Sequence, residues 1–297
     1  WNEKNSPPLS YVEIERTVKS IYKKHLMGRT DQGNYFHEKN LLRFPIFTHN
    51  KKRIHKVEDI EIVYKTRNMS RLWVVTPMKN MGLPGPFDEA VFMAINKIIS
   101  QSGFPVHNPI NIGSFRNIAK IIGCGTSGKD LKSIKESIKR LKGITITSDT
   151  TYYDAEKKRY ITDMFNIFDR VLFQGETTDS GEVLKNIYIW VNSVYLKNIN
   201  AGYVNKIDFD LYFSLKSYIT RGLYRTLVPL IQLSSNLPII ISYNRIAEKL
   251  QINKEIYLAD IKQQLRRAHA ELIEKGAFKK IEFKSSKNNI LIIYHKV

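Results

Sequence analysis

This sequence is poor in the residues on which cross-linking and most catalysis depend. Its 297 residues hold one cysteine, Cys124, which rules out an internal disulfide and any cysteine-based zinc site and suits a reducing compartment. Seven histidines stand at 25, 37, 49, 55, 107, 269 and 295, never as H-x-H or H-E-x-x-H. A strand-nicking enzyme needs paired histidines on a metal beside a nucleophilic tyrosine, so that chemistry is disfavoured and the 16 tyrosines read as core and surface aromatics. No Ser, His and Asp spacing marks a triad. No apolar run approaches the roughly 18 residues of a membrane helix. The opening WNEKNSPPLS lacks the charged and apolar regions of a signal peptide. The expectation is a cytoplasmic, non-enzymatic protein with no cofactor, no metal and no membrane association.

Positive charge, by contrast, is abundant. Lys plus Arg number 47 against 28 Asp plus Glu, a net charge of +19. Such a surplus attracts a polyanion and steers its approach, which makes nucleic acid the leading partner over a merely basic surface.

Three helical patterns occur twice in the same order. In the first copy, PFDEAVFMAINKIIS (86–100) places Ala90, Val91, Ala94, Ile95 and Ile98 on one face, with Asp88 near its start to satisfy free amides. SFRNIAKIIG (114–123) follows, with Ser114 as cap and Gly123 as terminator. SGKDLKSIKESIKRLKG (127–143) then puts Leu131, Ile134, Ile138 and Leu141 on one stripe. The second copy runs LYFSLKSYITRGLYRTLVPLIQL (211–233), SYNRIAEKL (242–250) and YLADIKQQLRRAHAELIEKG (257–276). Leu258, Ile261, Leu265 and Ala268 repeat the stripe at an offset of 127, and Ile246-Ala247 match Ile118-Ala119 at 128. Each third helix is followed by alternating segments around a polar turn: ITITSDTTYY, DAEKKR, YITDMFNIF in one case and FKKIEF, KSSKNN, ILIIYH in the other. Helix-turn-helix plus hairpin predicts an α+β fold of tandem winged helices. The boundaries read as an extension over 1–39, a first domain over 40–208 with additional strands, and a second over 209–297. A helix over 11–26, a hairpin from 58–66 and 71–77, and strand material over 171–210 complete the prediction.

Two motifs invite enzymatic readings. GCGTSGKD (123–130) meets most of the phosphate-loop pattern G-x-x-x-x-G-K-[ST], but a helix precedes it and Asp130 replaces the hydroxyl that holds magnesium. The same residues suit a turn in which Ser127 caps the next helix with Asp130 at the third position. Asp208 and Asp210 form a D-x-D pair that could bridge a metal in a primase or nickase. The other reading makes Asp210 the cap of a helix beginning near Leu211, and Asp208 a solvated strand end.

The third helices are the candidate DNA readers, since the exposed face of such a helix enters the major groove while cations on helix and wing neutralise phosphates. The outward set is Lys129, Lys132, Lys135, Lys139 and Arg140 in the first copy, and Lys262, Gln263, Arg266 and Arg267 in the second, with Lys284 and Lys287 on the second hairpin. Gln pairs with adenine and Arg with guanine, so the second set suits base reading and the all-cationic first set suits phosphates.

Six blocks carry a family likeness: NLLRFPIF (40–47), MGLPGPFDEAVFMAI (81–95), SFRNIAKIIG with its basic successor, FNIFDRVLF (165–173), IYIWVN (187–192) and SYITRGLYRTL (217–227). Through them the chain resembles, from residue 40 to its end, the replication initiator protein A family of plasmid initiators. That family is similar in architecture to iteron-binding, tandem winged-helix initiators. The resemblance implies binding of directly repeated origin sites in duplex DNA, opening of adjacent AT-rich duplex, and recruitment of the host replication initiator and the replicative helicase. It also implies base contacts mainly by the C-terminal winged helix, and homodimerisation through the N-terminal one. Residues 1–39 have no clear counterpart. A winged-helix transcriptional regulator would share the fold and the contacts.

Overall fold

The structure, a computed structural model, describes residues 35–65, 70–177, 181–234, 237–254, 257–286 and 289–297. The helix expected over 11–26, nearly all of the 1–39 extension, and Lys287 lie outside the described residues. In chain order the first part comprises β1 (Phe36–Glu38), α1 (Lys39–Arg43), β2 (Ile60–Lys65), β3 (Ser70–Thr76), α2 (Pro86–Gln101), β4 (Ile110–Gly113), α3 (Phe115–Ile122) and α4 (Gly128–Gly143). It continues with β5 (Thr145–Asp154), β6 (Arg159–Asn166), β7 (Phe168–Leu172), β8 (Ile187–Val191), α5 (Ser193–Asn200) and β9 (Val204–Lys206). The second part comprises α6 (Phe209–Ser214), α7 (Tyr218–Leu233), β10 (Ile239–Ser242), α8 (Tyr243–Leu250), α9 (Leu258–Glu274), β11 (Lys280–Ser286) and β12 (Asn289–His295).

The helix starts follow their capping chemistry. Asp88 accepts from the Gly85 N–H at 2.7 Å and Pro86 opens α2. Ser114 accepts from the Asn117 N–H at 3.2 Å, and Gly123, at φ 77°, ends α3 in the left-handed conformation that glycine tolerates. In the second part Ser242 caps α8, which ends on the left-handed Gln251. Of the predicted stripes, Ile134, Ile138 and Leu141 on α4 and Ile261, Leu265 and Ala268 on α9 are buried, while Leu131 and Leu258, in the first turn of each helix, are half-buried.

Sheet topology corrects the assignment of the first hairpin. Both predicted hairpins of the first part form, but β5–β6 joins β2–β3 in one antiparallel sheet of order β2-β3-β5-β6. Its inner rows, Ile60–Val75–Ile146–Phe165 and Ile62–Trp73–Ser148, supply much of the first core. Strand order in the second part is β10-β12-β11, and the matching order in the first part is β4-β8-β7. The counterpart of β11–β12 is therefore β7–β8, and β5–β6 is an insertion after α4. Alternation reports that a strand has two faces, not which strand it pairs with, so two similar hairpins could not be told apart locally.

Two further expectations change. The segment 171–210 is not all strand, because Asn192 caps the helix α5 by accepting from the Val194 N–H at 2.9 Å. The single helix predicted over 211–233 is broken at Leu215, leaving α6 and α7. Glu271 of α9 causes the second start: its carboxylate accepts from the backbone N–H of Lys216, from Ser217 N–H at 3.4 Å and from Thr220 Oγ1 at 2.7 Å, covering free amides at the head of α7. Pro229 lies inside α7 without ending it, and the helix runs on to Leu233. A proline one turn from the end removes a single backbone donor.

Two cores result. One spans Phe36 to Ile199; the other runs from Ile207 to Tyr294 and draws in Leu42 and Met93 from the first part.

Candidate nucleic-acid interface

On α9 the burial of one stripe dictates the exposure of the other. Lys262, Gln263, Arg266 and Arg267 are all exposed, opposite Ile261 and Leu265. Lys262, Gln263 and Arg266 edge a cleft of about 530 Å³ between α9 and β11, with Ile281 and Phe283 on its far side. The Lys262 ammonium stands 5.7 Å from the Phe283 ring centre. Lys284 extends the basic surface along β11. His269, also in the cleft wall, belongs to the core: it bonds the Tyr294 hydroxyl at 3.0 Å, and burial lowers its pKa to about 4, so it is neutral.

The first set is only partly brought together. Lys129 and Lys132, at the start of α4, are exposed. Lys135 is half-buried, 5.1 Å from the ring centre of Phe173, whose own ring stacks on Phe115. Lys139 pairs with Glu136 at 2.9 Å. Arg140 is a correction, since its guanidinium turns inward, donating to Asp88 Oδ1 at 2.6 Å and to the Met81 carbonyl at 3.1 Å. Spacing put Arg140 on the wet flank of α4, but it could not see Asp88 arriving from α2. Arg140→Ala should therefore cost about 1–3 kcal/mol of stability, because the Asp88 carboxylate, 2% exposed, loses its cation. Thermal unfolding of the variant measures that loss.

The residues of the two motifs make structural contacts. Ser127 Oγ accepts from the Asp130 N–H, and Asp130 accepts from the Ser127 N–H at 3.1 Å, a reciprocal capping box. A Cβ at Gly125 would lie 2.3 Å from Asp130 Oδ2, the carboxylate oxygen that closes this cap. The cap expected of Asp210 falls to Asp208, which caps α6 through the Leu211 N–H at 2.8 Å, whereas Asp210, in the first turn of α6, binds Lys97 at 2.6 Å. The two carboxylates thus serve different partners.

A buried charged cluster between the two parts went unforeseen. Glu89 of α2, its side chain 1% exposed, lies 3.0 Å from His49 Nε2 and 3.2 Å from Arg225 Nε of α7. It also accepts from the Tyr212 hydroxyl at 3.2 Å. The Arg225 Nε–H makes no aligned hydrogen bond, so its contact with Glu89 is an ion pair. Burial alone would push the Glu89 carboxyl up, but Arg225, His49 and Tyr212 together hold it at about 2. A signal existed: Asp88-Glu89 and Arg221, Arg225 are charges inside otherwise apolar helices, and such charges are buried only when paired.

No helix among the described residues is long and apolar enough to cross a membrane. Nor do three or more His, Cys, Asp or Glu side chains gather there in a metal-binding group. No curated protein matches the chain. Among solved structures, it is similar to the selenomethionine crystal structure of domains 2 and 3 of RctB, at 14% identity and a TM-score of 0.55, covering 84% of this chain and 94% of that one. A second RctB structure of the same domains matches at 13% identity and a TM-score of 0.54, covering 84% and 95%. At this identity the likeness concerns the fold, a mixed α+β arrangement. The model of the family Replication initiator protein A matches residues 37–228, more than half of the sequence, and the chain belongs to that family.

Proposed function

We propose that this protein is a non-catalytic, cytoplasmic plasmid replication initiator that grips duplex DNA with two winged helices. It recognises directly repeated origin sites, promotes opening of adjacent duplex, and brings in the host initiator and the replicative helicase; the N-terminal unit pairs in a homodimer. One observation carries the DNA reading: the same helix-and-strand arrangement occurs twice in a chain of net charge +19, each time with exposed cations on the third helix. The α9 set, with Gln263 and two arginines beside a basic hairpin, reads bases. Lys129 and Lys132 hold phosphates, and β7–β8 takes the wing position of the first unit.

Selection of bound sequences from random duplex tests this reading. The expected winner recurs as direct repeats in the source replicon, and its affinity falls steeply with salt as counterions are released. Lys129→Ala with Lys132→Ala should reduce the slope of log K against log salt by about 2, since each phosphate contact contributes about 0.9. Failure to enrich any sequence, with binding indifferent to salt, would remove duplex recognition as the function.

A further inference from the structure

The two third helices are connected by more than chain. Arg140 of α4 is fixed to Asp88 of α2 at 2.6 Å, and the neighbouring Glu89 meets Arg225 of α7 at 3.2 Å. From α7, Thr220 Oγ1 donates at 2.7 Å to Glu271, which lies on α9. Every link in this path is a side-chain contact between helices, and the carboxylates of Asp88 and Glu89 are 2% and 1% exposed. Gly222, in the middle of α7, sits where the His49 ring comes down on the helix; a Cβ there would lie 2.5 Å from two ring atoms. A helix interior normally disfavours glycine by about 1 kcal/mol, so close approach at the joint is the reason for it.

Outer contacts brace the same boundary. Lys97 of α2 binds Asp210 of α6 at 2.6 Å, and Arg53 donates to Gln251, at the end of α8, at 2.5 Å. Backbone joins backbone as well, His49 N–H to the Leu250 carbonyl at 2.8 Å. An apolar seam permits sliding, because its contacts have no direction. Ion pairs and hydrogen bonds at defined atoms do not, and an unpaired charge is the penalty for any other arrangement.

We infer that Asp88 and Glu89, with Arg225, form a positioning joint that sets the distance and phase between the two DNA-reading helices, so that one chain accepts one continuous duplex site in a single register. This rests on the proposal that both units bind DNA. On a duplex, phase matters because about 10–10.5 base pairs make a turn, so a half-turn insertion carries one contact face to the far side. With the joint fixed, both units engage together and each raises the effective concentration of the other; with it loosened, that gain falls.

The experiment uses the full chain and the duplex selected above, with insertions of one to five base pairs between the two contacted segments. Wild type should lose affinity by about 100-fold or more at the half-turn insertion, the lower end of the 10²- to 10⁴-fold that linkage supplies. Glu89→Gln should bind the parental site about tenfold more weakly and discriminate among spacings by less than about threefold. Should Glu89→Gln fail to fold by circular dichroism, Lys97→Ala combined with Arg53→Ala, at the half-buried rim, should flatten the profile in the same direction. A folded variant that keeps the wild-type spacing profile overturns the joint, whereas a wild type indifferent to spacing overturns the reading that both units bind DNA. A wild type that selects no duplex at all overturns that reading too.

Discussion

Arg225→Met should lower the unfolding free energy by about 3–5 kcal/mol, the cost of leaving a buried carboxylate without its cation. The site meets the conditions for so large an effect: both side chains are almost fully buried, at 2% and 1% exposed. A denaturant titration measures it as a lower midpoint at unchanged slope. The pH dependence provides a second check whose sign can be worked out. In wild type the folded Glu89 value, about 2, lies below its ordinary 4.5, so its contribution is complete above 4.5 and is lost as pH falls toward 2. Without Arg225, burial dominates and raises the carboxyl. The variant then carries a penalty that is full at neutral pH and relaxes as pH falls, so mild acidification should stabilise the variant relative to wild type. Adding Glu89→Leu should restore most of the loss, since an ion pair replaced by apolar groups is often neutral, whereas half of one is not.

Binding of DNA should respond most to the exposed arginines of α9. Arg266→Ala and Arg267→Ala are each expected to cost about 1–3 kcal/mol for a lost base contact, and to relax preference at one position of the selected site. Stability should hardly move, because both side chains project from the face opposite Ile261 and Leu265. Competition binding against single-base variants of the site distinguishes the two kinds of contact. Loss confined to one position marks base reading, and uniform loss with a shallower salt slope marks a phosphate contact. If neither substitution alters affinity or preference, α9 is not the reading helix.

These expectations draw unequally on sequence and structure. The exposed face of α9 was legible because helical periodicity fixes which residues share a stripe, and burying Ile261, Leu265 and Ala268 leaves Lys262, Gln263, Arg266 and Arg267 outside. The turn at GCGTSGKD was legible for a similar reason, as a capping box closes within three residues. Arg140 was misplaced although its helix was right. Its partner, Asp88, is 52 residues away, and no local pattern distinguishes a solvated arginine from one with a distant carboxylate.

The same division runs through the whole chain. Periodicity, capping and charge are short-range properties, and by themselves they determined the two helical trios, the hairpins, the capped turn between α3 and α4, and a basic partner surface. Tertiary structure alone decided that β7–β8, rather than β5–β6, matches the second hairpin, that α7 begins where Glu271 covers its amides, and that Glu89 and Arg225 meet between the units. Strand pairing and buried ion pairs join groups far apart in sequence, and their energies depend on which surfaces leave water together.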